Sequence, residues 1–242
     1  MGRSYESSVV RIEYLSDDTI RTMAELYLEN FDGSSAAIFC SDLADKGEAI
    51  LLRCGGRLIG FTTLQVFDVA CHDRPARIVY SGDTIVDPQH WGQQELAFAW
   101  IAHIGEIKAS APDIPLFWFL LVKGHRTFKY LSVFGKSFFP HWEKNRDELK
   151  ALADQLASAR FGSDYDPASG IVRFPQSRGH LKSALAEASP EEMNKAATRF
   201  FFEMNPGYRA GHELVCICEL ESFNMKPLAG RIFRRAMENF TS

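Results

Sequence analysis

The sequence lacks the motifs that mark several large enzyme classes. It has no Walker phosphate loop, no dinucleotide-binding glycine fingerprint and no Ser–His–Asp order of a hydrolase. No internal repeat or low-complexity tract occurs in its 242 residues. The strongest apolar run, Leu116–Val122, is too short to span a membrane and is typical of a buried strand. These absences favour a globular protein that does not act in a membrane.

Targeting and metal-binding signals are equally sparse. Residues Met1–Ser8 are polar and lack the apolar core of a signal peptide, so we expect a cytoplasmic protein. The cysteines stand in no metal-binding spacing, and Cys216 and Cys218 fall in an apolar run. We therefore expect small buried side chains rather than a disulfide framework or a zinc site, and no metal cofactor.

The charge balance gives no sign of a nucleic-acid partner. With a formal net charge of −4, the chain lacks the bulk positive field that attracts phosphate backbones. Hydrophobic residues make up 46% of the sequence, enough for a sizeable core. Many of the 19 phenylalanines lie from residue 117 onward, among them Phe117, Phe119 and Phe128. Such residues form core or line an apolar ligand pocket.

A strand, a helix and a second strand form the informative centre of the sequence. Apolar strands are predicted at 77–86 and 115–122, and a helix at 92–110 has apolar residues at helical spacing. This order predicts a parallel crossover. Hairpins before it, with a turn at Gly55-Gly56, and a late strand at 212–221 complete a mixed sheet.

The segment that joins the first of these strands to the helix predicts an anion site. The strand ends in Asp87-Pro88, and a loop containing Gly92 opens the helix. Unpaired N–H groups at a helix N-terminus bind phosphate with help from the helix dipole. The basic run Lys123–Arg126, which follows the second strand, can also hold a phosphate or a carboxylate.

This joining segment resembles the coenzyme A loop of the GNAT acyltransferases. In that family a hydrophobic-x-Pro turn precedes a Gln/Arg-x-x-Gly-x-Gly/Ala loop. Here Val86–Pro88 takes the place of the turn, and Gln89 and Gly92 match the loop. A blurred match to a later segment of the family places Tyr130 near the position of its tyrosine.

Two positions depart from the family loop. Gln94 replaces Gly or Ala, and its side chain crowds the close approach of a phosphate. Trp91 replaces the usual basic residue and removes a positive charge. Glu95, in the first helical turn, adds a charge that repels phosphate. Either the acyl carrier is bound differently, with help from Lys123–Arg126, or the site is no longer used.

The resemblance implies an α/β fold with a GNAT-like mixed central sheet flanked by helices. It covers about residues 9–140 and the late strand, which leaves an extra helical and loop insertion before that strand. We expect a GNAT-like core at 1–143, an insertion or lid at 144–205, and a final strand and terminal helix at 206–242. A Phe-rich lid suits a bulky acyl substrate, and equally a homodimer interface.

The resemblance also implies the chemistry. The donor is acetyl-CoA or another acyl-CoA, or a thioester on an acyl carrier protein, and the acceptor is an amine of a small molecule or peptide. Asp83 is the candidate base, and Tyr130 is the candidate acid for the departing thiolate. The cofactor-binding candidates are Ile85, Val86, Gln89, Trp91, Gly92, Gln93, Gln94, Lys123 and Arg126.

Less specific roles stay open for these residues. Strand alternation can point Asp83 to solvent, and Tyr130 can be an ordinary half-buried helix residue. The alternative function is a non-catalytic GNAT-like ligand-binding or scaffolding protein that has lost its donor site.

Overall fold

The computed structural model describes residues 4–71 and 74–240. In these residues the strands are β1 (Tyr5–Arg11), β2 (Phe31–Asp32), β3 (Glu48–Cys54), β4 (Arg57–Cys71), β5 (Arg74–Val86), β6 (Leu116–Val122), β7 (Tyr165–Asp166), β8 (Ile171–Val172), β9 (His180–Leu181) and β10 (Glu213–Glu219). The α-helices are α1 (Asp17–Asn30), α2 (Ala36–Ala44), α3 (Glu95–Ser110), α4 (His125–Phe134), α5 (Asp147–Phe161), α6 (Ser183–Ala186), α7 (Pro190–Met193), α8 (Ala196–Met204) and α9 (Pro227–Phe240).

One eight-stranded sheet organises the fold, in the order β1-β3-β4-β5-β6-β10-β8-β7. β5 and β6 run parallel, joined by α3 as the predicted crossover, and the other neighbours in this order are antiparallel. β2 and β9 form a separate antiparallel pair. The predicted fold class, a mixed sheet flanked by helices with an insertion before the last long strand, is confirmed.

Helices cover both faces of this sheet because the strand side chains alternate between two apolar cores. On one face α3, α4, α8 and α9 pack on the sheet around Trp118 and Phe128. On the other face α1 and α2 pack around Phe61, and α5 packs around Phe119. Within the described ranges, each helix is too short or too polar to serve as a membrane span.

The segment 144–205 contributes to the sheet as well as to its surroundings. α5 packs against the middle of the sheet, β7 and β8 extend its edge, and β9 pairs with β2. α8 packs against α4, where Phe201 is completely buried near Phe128. The division of the chain into a core and a lid stays a prediction.

The terminal helix α9 lies unusually close to α3. Gly105 of α3 is buried at this contact, and a Cβ added to it would lie 2.5 Å from the carbonyl oxygen of Phe233. The same Cβ would lie 3.0 Å from the Cβ of Ala236. Only glycine therefore lets the two helix backbones approach to this distance.

We expect Gly105→Ala to lower the free energy of unfolding by about 1–3 kcal/mol, because the new methyl group forces α9 away from α3. This loss outweighs the gain of about 1 kcal/mol that Ala brings in a helix. Chemical denaturation measures the change. Gly47→Ala is the control, since the nearest atom to its added Cβ is 3.9 Å away. Equal stability of Gly105→Ala and the parent would show that α9 does not pack as described.

Candidate active site

A β-bulge in β5 opens the centre of the sheet. Two residues of β5, Gly82 and Asp83, face the single residue Thr63 of β4. A Cβ on Gly82 would lie 2.3 Å from the Thr63 hydroxyl, so glycine is required there. A bulge bends and twists its strand, and β5 pairs with β6 only as far as Ser81 and Leu120. Beyond that point the two parallel strands separate.

The separation leaves backbone groups of β5 facing the gap. The Asp87 N–H donates to the Ile59 carbonyl of β4 at 2.8 Å. Since successive residues of a strand direct their N–H groups to opposite sides, Ile85 also faces β4, whereas Thr84 and Val86 face the gap. The Ile85 side chain is buried in the core. The candidate donors are therefore Thr84, which the sequence analysis missed, and Val86.

A cleft of about 1030 Å³ is centred on this gap. Asp83 and Tyr130 line it together with most of the cofactor-binding candidates, namely Ile85, Val86, Trp91, Gly92, Gln93, Gln94, Lys123 and Arg126. Gln89 is the exception: its backbone N–H donates to the Asp87 carboxylate at 2.9 Å, and it lies outside the cleft lining. The expectation that Gln89 contacts the donor is not supported by this placement.

One end of the cleft is the loop before α3. Gly92 has a φ of +89°, a left-handed conformation that favours glycine. The Gln93 side chain accepts from the Leu96 N–H at 3.3 Å. The Gln94 side chain makes no capping hydrogen bond, although Gln94 is the N-cap residue. First-turn N–H groups of a helix carry partial positive charge, so this end suits an anion.

Arg126 restores a positive charge to the loop. Its guanidinium carbon lies 5.1 Å from the centre of the Trp91 ring, and the Trp91 indole in turn donates to the Val86 carbonyl at 2.9 Å. Lys129 of α4 and Lys195 of the insertion also line the cleft, as does Glu192, which pairs with Arg126. Lys195 could not be predicted from sequence because it lies far from the loop in the chain. The cation expected within the family loop thus comes from other elements.

Glu95 does not oppose an anion at this end. Its carboxylate accepts a hydrogen bond from the Ser7 hydroxyl of β1 at 2.7 Å, and it lies outside the cleft lining. The neighbouring His90 is held near the Tyr5 hydroxyl, at 3.3 Å, and is also outside the lining. The Glu95 charge is therefore directed to β1, outside the cleft lining, rather than at the predicted phosphate position.

Beyond the gap the cleft holds acids and a lysine. Burial, reinforced by the negative charge of Asp42, raises the pKa of Asp83 to about 6, against the opposing effect of Lys123. The Lys123 ammonium lies 3.4 Å from Glu213 of β10. Burial alone would lower the pKa of Lys123, but Glu213 and Asp83 raise it. Burial also raises the pKa of Glu213.

This arrangement changes the interpretation of Lys123. Its ammonium is paired with Glu213 near Asp83, on the far side of the gap from the Gly92 loop. Arg126 is also paired, with Glu192 at 3.4 Å, but it stacks on Trp91 of that loop and is by position the better candidate for a phosphate contact. Glu213 was missed by the sequence analysis. The available signal was an acid at the start of an otherwise apolar strand, where burial is expensive unless the charge is paired.

Tyr130 stands on α4 at the edge of the cleft. Its side chain is 38% exposed, and its ring packs against Phe134 with 5.4 Å between centres. Burial raises the pKa of the hydroxyl further above neutral, where a phenol is already protonated. In the described chain no partner holds this hydroxyl, so it is available to a ligand.

No group of three or more His, Cys, Asp or Glu side chains in residues 4–71 and 74–240 is placed to hold a metal ion. The site therefore offers carboxylates, a phenol, cations and backbone N–H groups as its chemical equipment.

No family model and no curated protein matches this sequence. Solved structures similar to it include a conserved protein of unknown function, a probable N-acyltransferase, from Enterococcus faecalis V583 (13% identity, 56% of this chain, 33% of that chain, TM-score 0.41). A second is a GNAT family N-acetyltransferase from Escherichia coli in complex with CoA (15% identity, 55% of this chain, 71% of that chain, TM-score 0.39). A third is an acyl-CoA N-acyltransferase from Pseudomonas aeruginosa (15% identity, 52% of this chain, 85% of that chain, TM-score 0.39).

The chain spans 33% of the Enterococcus protein. The sheet order and the parallel β5–β6 pair agree with the mixed sheet that the resemblance to the GNAT family predicted.

We expect Asp83→Asn to stabilise the protein above pH 6 and to leave it nearly unchanged at pH 4. The folded-state pKa of Asp83 is raised from 3.8 to about 6. The cost of ionising Asp83 is therefore absent below pH 4 and complete above pH 6. At about 1.4 kcal/mol per pKa unit, it reaches at most about 3 kcal/mol.

Denaturation at several pH values measures this difference, with exposed Asp113→Asn as the control. A stability difference that does not change between pH 4 and pH 7 would show that Asp83 is solvated like a surface residue.

Proposed function

We propose that this chain is an acyltransferase that moves an acyl group from a thioester of CoA, or of a carrier-bound phosphopantetheine, to an amine. One observation carries the proposal: the gap between β5 and β6 lies between a cationic end and an acidic end of a single cleft. Arg126 and the loop at Gly92 suit the donor's phosphates, and Asp83 suits an ammonium.

In the proposed reaction, the Asp83 carboxylate first takes a proton from the acceptor ammonium. A pKa of about 6 leaves Asp83 mostly ionised at pH 7 and makes it a stronger base than an ordinary aspartate. The free amine then attacks the carbonyl carbon, and the C–N bond forms as the C–S bond breaks. Backbone N–H groups of Thr84 or Val86 stabilise the charge that develops on the carbonyl oxygen.

Tyr130 completes the proton balance. Its hydroxyl donates a proton to the departing thiolate. The nitrogen loses its second proton as the amide forms, and that proton returns to the phenolate through solvent, while Asp83 releases the first proton to solvent. Tyr130 lines the cleft, and a phenol is protonated at neutral pH. These positions support the role, because a general acid must reach the leaving group in its protonated form.

The donor end of the cleft also has an apolar wall. Phe98, Val133, Leu228 and Ile232 line it, and Val133 and Leu228 are 45% and 46% exposed. This wall differs from the expected one: Phe119 and Phe128 are completely buried in the two cores. Each methylene buried against such a wall contributes about 0.8 kcal/mol. A longer acyl chain should therefore bind more tightly than acetyl.

Calorimetric titration with CoA thioesters of increasing acyl length tests the proposal. We expect affinity to rise with chain length, and Gly92→Asp to abolish binding because its carboxylate repels the pyrophosphate. Gly92→Asn is the matched control, with the same backbone strain and no charge. A Cβ at Gly92 meets nothing within 4 Å, so neither side chain is excluded by space. Equal donor affinity in the two variants would contradict the phosphate placement, and no binding by the parent would favour a non-catalytic protein.

We expect Tyr130→Phe to lower kcat about 10²–10⁴-fold while changing donor affinity by less than threefold, because a general acid acts mainly in the transition state. Thiol release measured with a chromogenic disulfide gives the rate. Tyr14→Phe, at an exposed residue outside the cleft lining, is the control. An unchanged kcat would make Tyr130 a structural residue.

A further inference from the structure

A second pocket, of about 680 Å³, adjoins the acidic end of the cleft. The two cavities share Tyr80 and Arg178, among other residues. Arg160 of α5 lines the second pocket and not the first. A molecule whose amine reaches Asp83 can therefore extend its other end into a space that arginines border.

Both arginines are stacked on aromatic rings. The guanidinium carbon of Arg160 lies 4.3 Å from the centre of the Tyr80 ring, and that of Arg178 lies 4.3 Å from the centre of the Phe174 ring. Stacking fixes the plane of a guanidinium and leaves its N–H edges free to bind an anion side-on. The arginines are thus held in place before a ligand arrives, which reduces the entropy lost on binding.

Protein carboxylates do not use up these two cations. Arg160 donates to the Gln65 side-chain oxygen at 3.0 Å, and across the described ranges neither arginine forms an ion pair. Of the acids that line both cavities, Asp42 is paired with Lys46 at 2.8 Å, and Asp45 is exposed at the surface. Both arginine side chains are exposed at the pocket mouth. Their N–H groups remain available to an external anion.

The arginines lie within electrostatic reach of the buried acids. Arg178 acts to lower the pKa of Glu213, and Arg160 acts on Tyr80, which also senses the charge of Asp83. Asp83 and Glu213 line the first cavity only, Arg178 lines both, and Arg160 lines the second only. The order along the connected cavities is therefore acids, then two arginines. A ligand that is positive at one end and negative at the other matches this order.

We propose that the acceptor is an amine that carries a carboxylate, bound with its ammonium at Asp83 and its carboxylate at Arg178 and Arg160. This inference rests on the proposed function and narrows its acceptor to molecules of the amino-acid type, free or at the C-terminus of a short peptide. Arg178 and Arg160 are then specificity-determining residues that do not touch the reacting atoms.

The experiment compares matched pairs of acceptors that differ in charge alone. Free amino acids and dipeptides are each paired with their carboxamides, which have nearly the same size and keep the amine. Binding is measured by calorimetry on the CoA-saturated protein, and turnover by thiol release from an acyl-CoA. In the pair that binds best, we expect the acid to bind at least tenfold more tightly than its carboxamide and to have an at least tenfold higher kcat/KM.

The variants Arg178→Gln and Arg160→Gln assign that preference to residues. We expect each to weaken binding of the acid at least tenfold, and to change binding of the amide and of CoA by less than threefold. Arg173→Gln is the matched control, because Arg173 is exposed, pairs with Asp166 and lines neither cavity. Unchanged CoA affinity shows that each variant is folded.

The outcomes separate this inference from the proposed function. Turnover of acids and amides at equal rates, or equal losses for both in Arg178→Gln, would overturn the inference and leave the acyltransferase in place. Tighter, arginine-dependent binding of acids without any thiol release would support carboxylate recognition and contradict the acyltransferase. If each acid bound as tightly as its carboxamide in the parent and in all variants, the inference would be overturned whatever the rate of turnover.

Discussion

The β-bulge at Gly82 and Asp83 is the constraint on which the rest of the site depends. Regular pairing of β5 with both of its neighbours would leave no room at the centre of an eight-stranded sheet. The additional residue bends β5 away from β6 and leaves backbone N–H groups without a strand partner. The same residue brings Asp83 into the gap, where burial raises its pKa. Geometry and electrostatics of the site thus have one local cause.

Charge is divided along the cleft that this bulge opens. Cations from α4 and the insertion gather at the loop before α3, and acids from β5 and β10 gather beyond the gap. Since each group of charges selects ligands of the opposite sign, the two ends favour different molecules. Such a division holds two reactants in a fixed order and brings their reactive ends together, which is a large part of catalysis of bimolecular reactions.

The sequence predicted the parts of this arrangement that depend on local pattern. The apolar strands, the crossover helix and the Gly92 loop follow from residues adjacent in the chain. The resemblance pointed to Asp83 and Tyr130, which line the cleft and whose roles stay predictions. Contacts between distant segments were not predictable. Arg126 stacks on Trp91, and Lys123 pairs with Glu213, only because the fold brings separate elements together. The bulge was also missed, because one additional residue barely disturbs the alternation of a short strand.

Amide hydrogen exchange with and without saturating CoA tests the central claim most directly, since it reports on individual N–H groups of the opened strand. The account predicts that Thr84, Val86 and the first turn of α3 exchange more slowly when CoA is bound. It predicts little change at Ile85, which already faces β4. Bound CoA that protects none of these groups, or that protects only residues outside the cleft, would contradict the claim that the bulge creates the donor site.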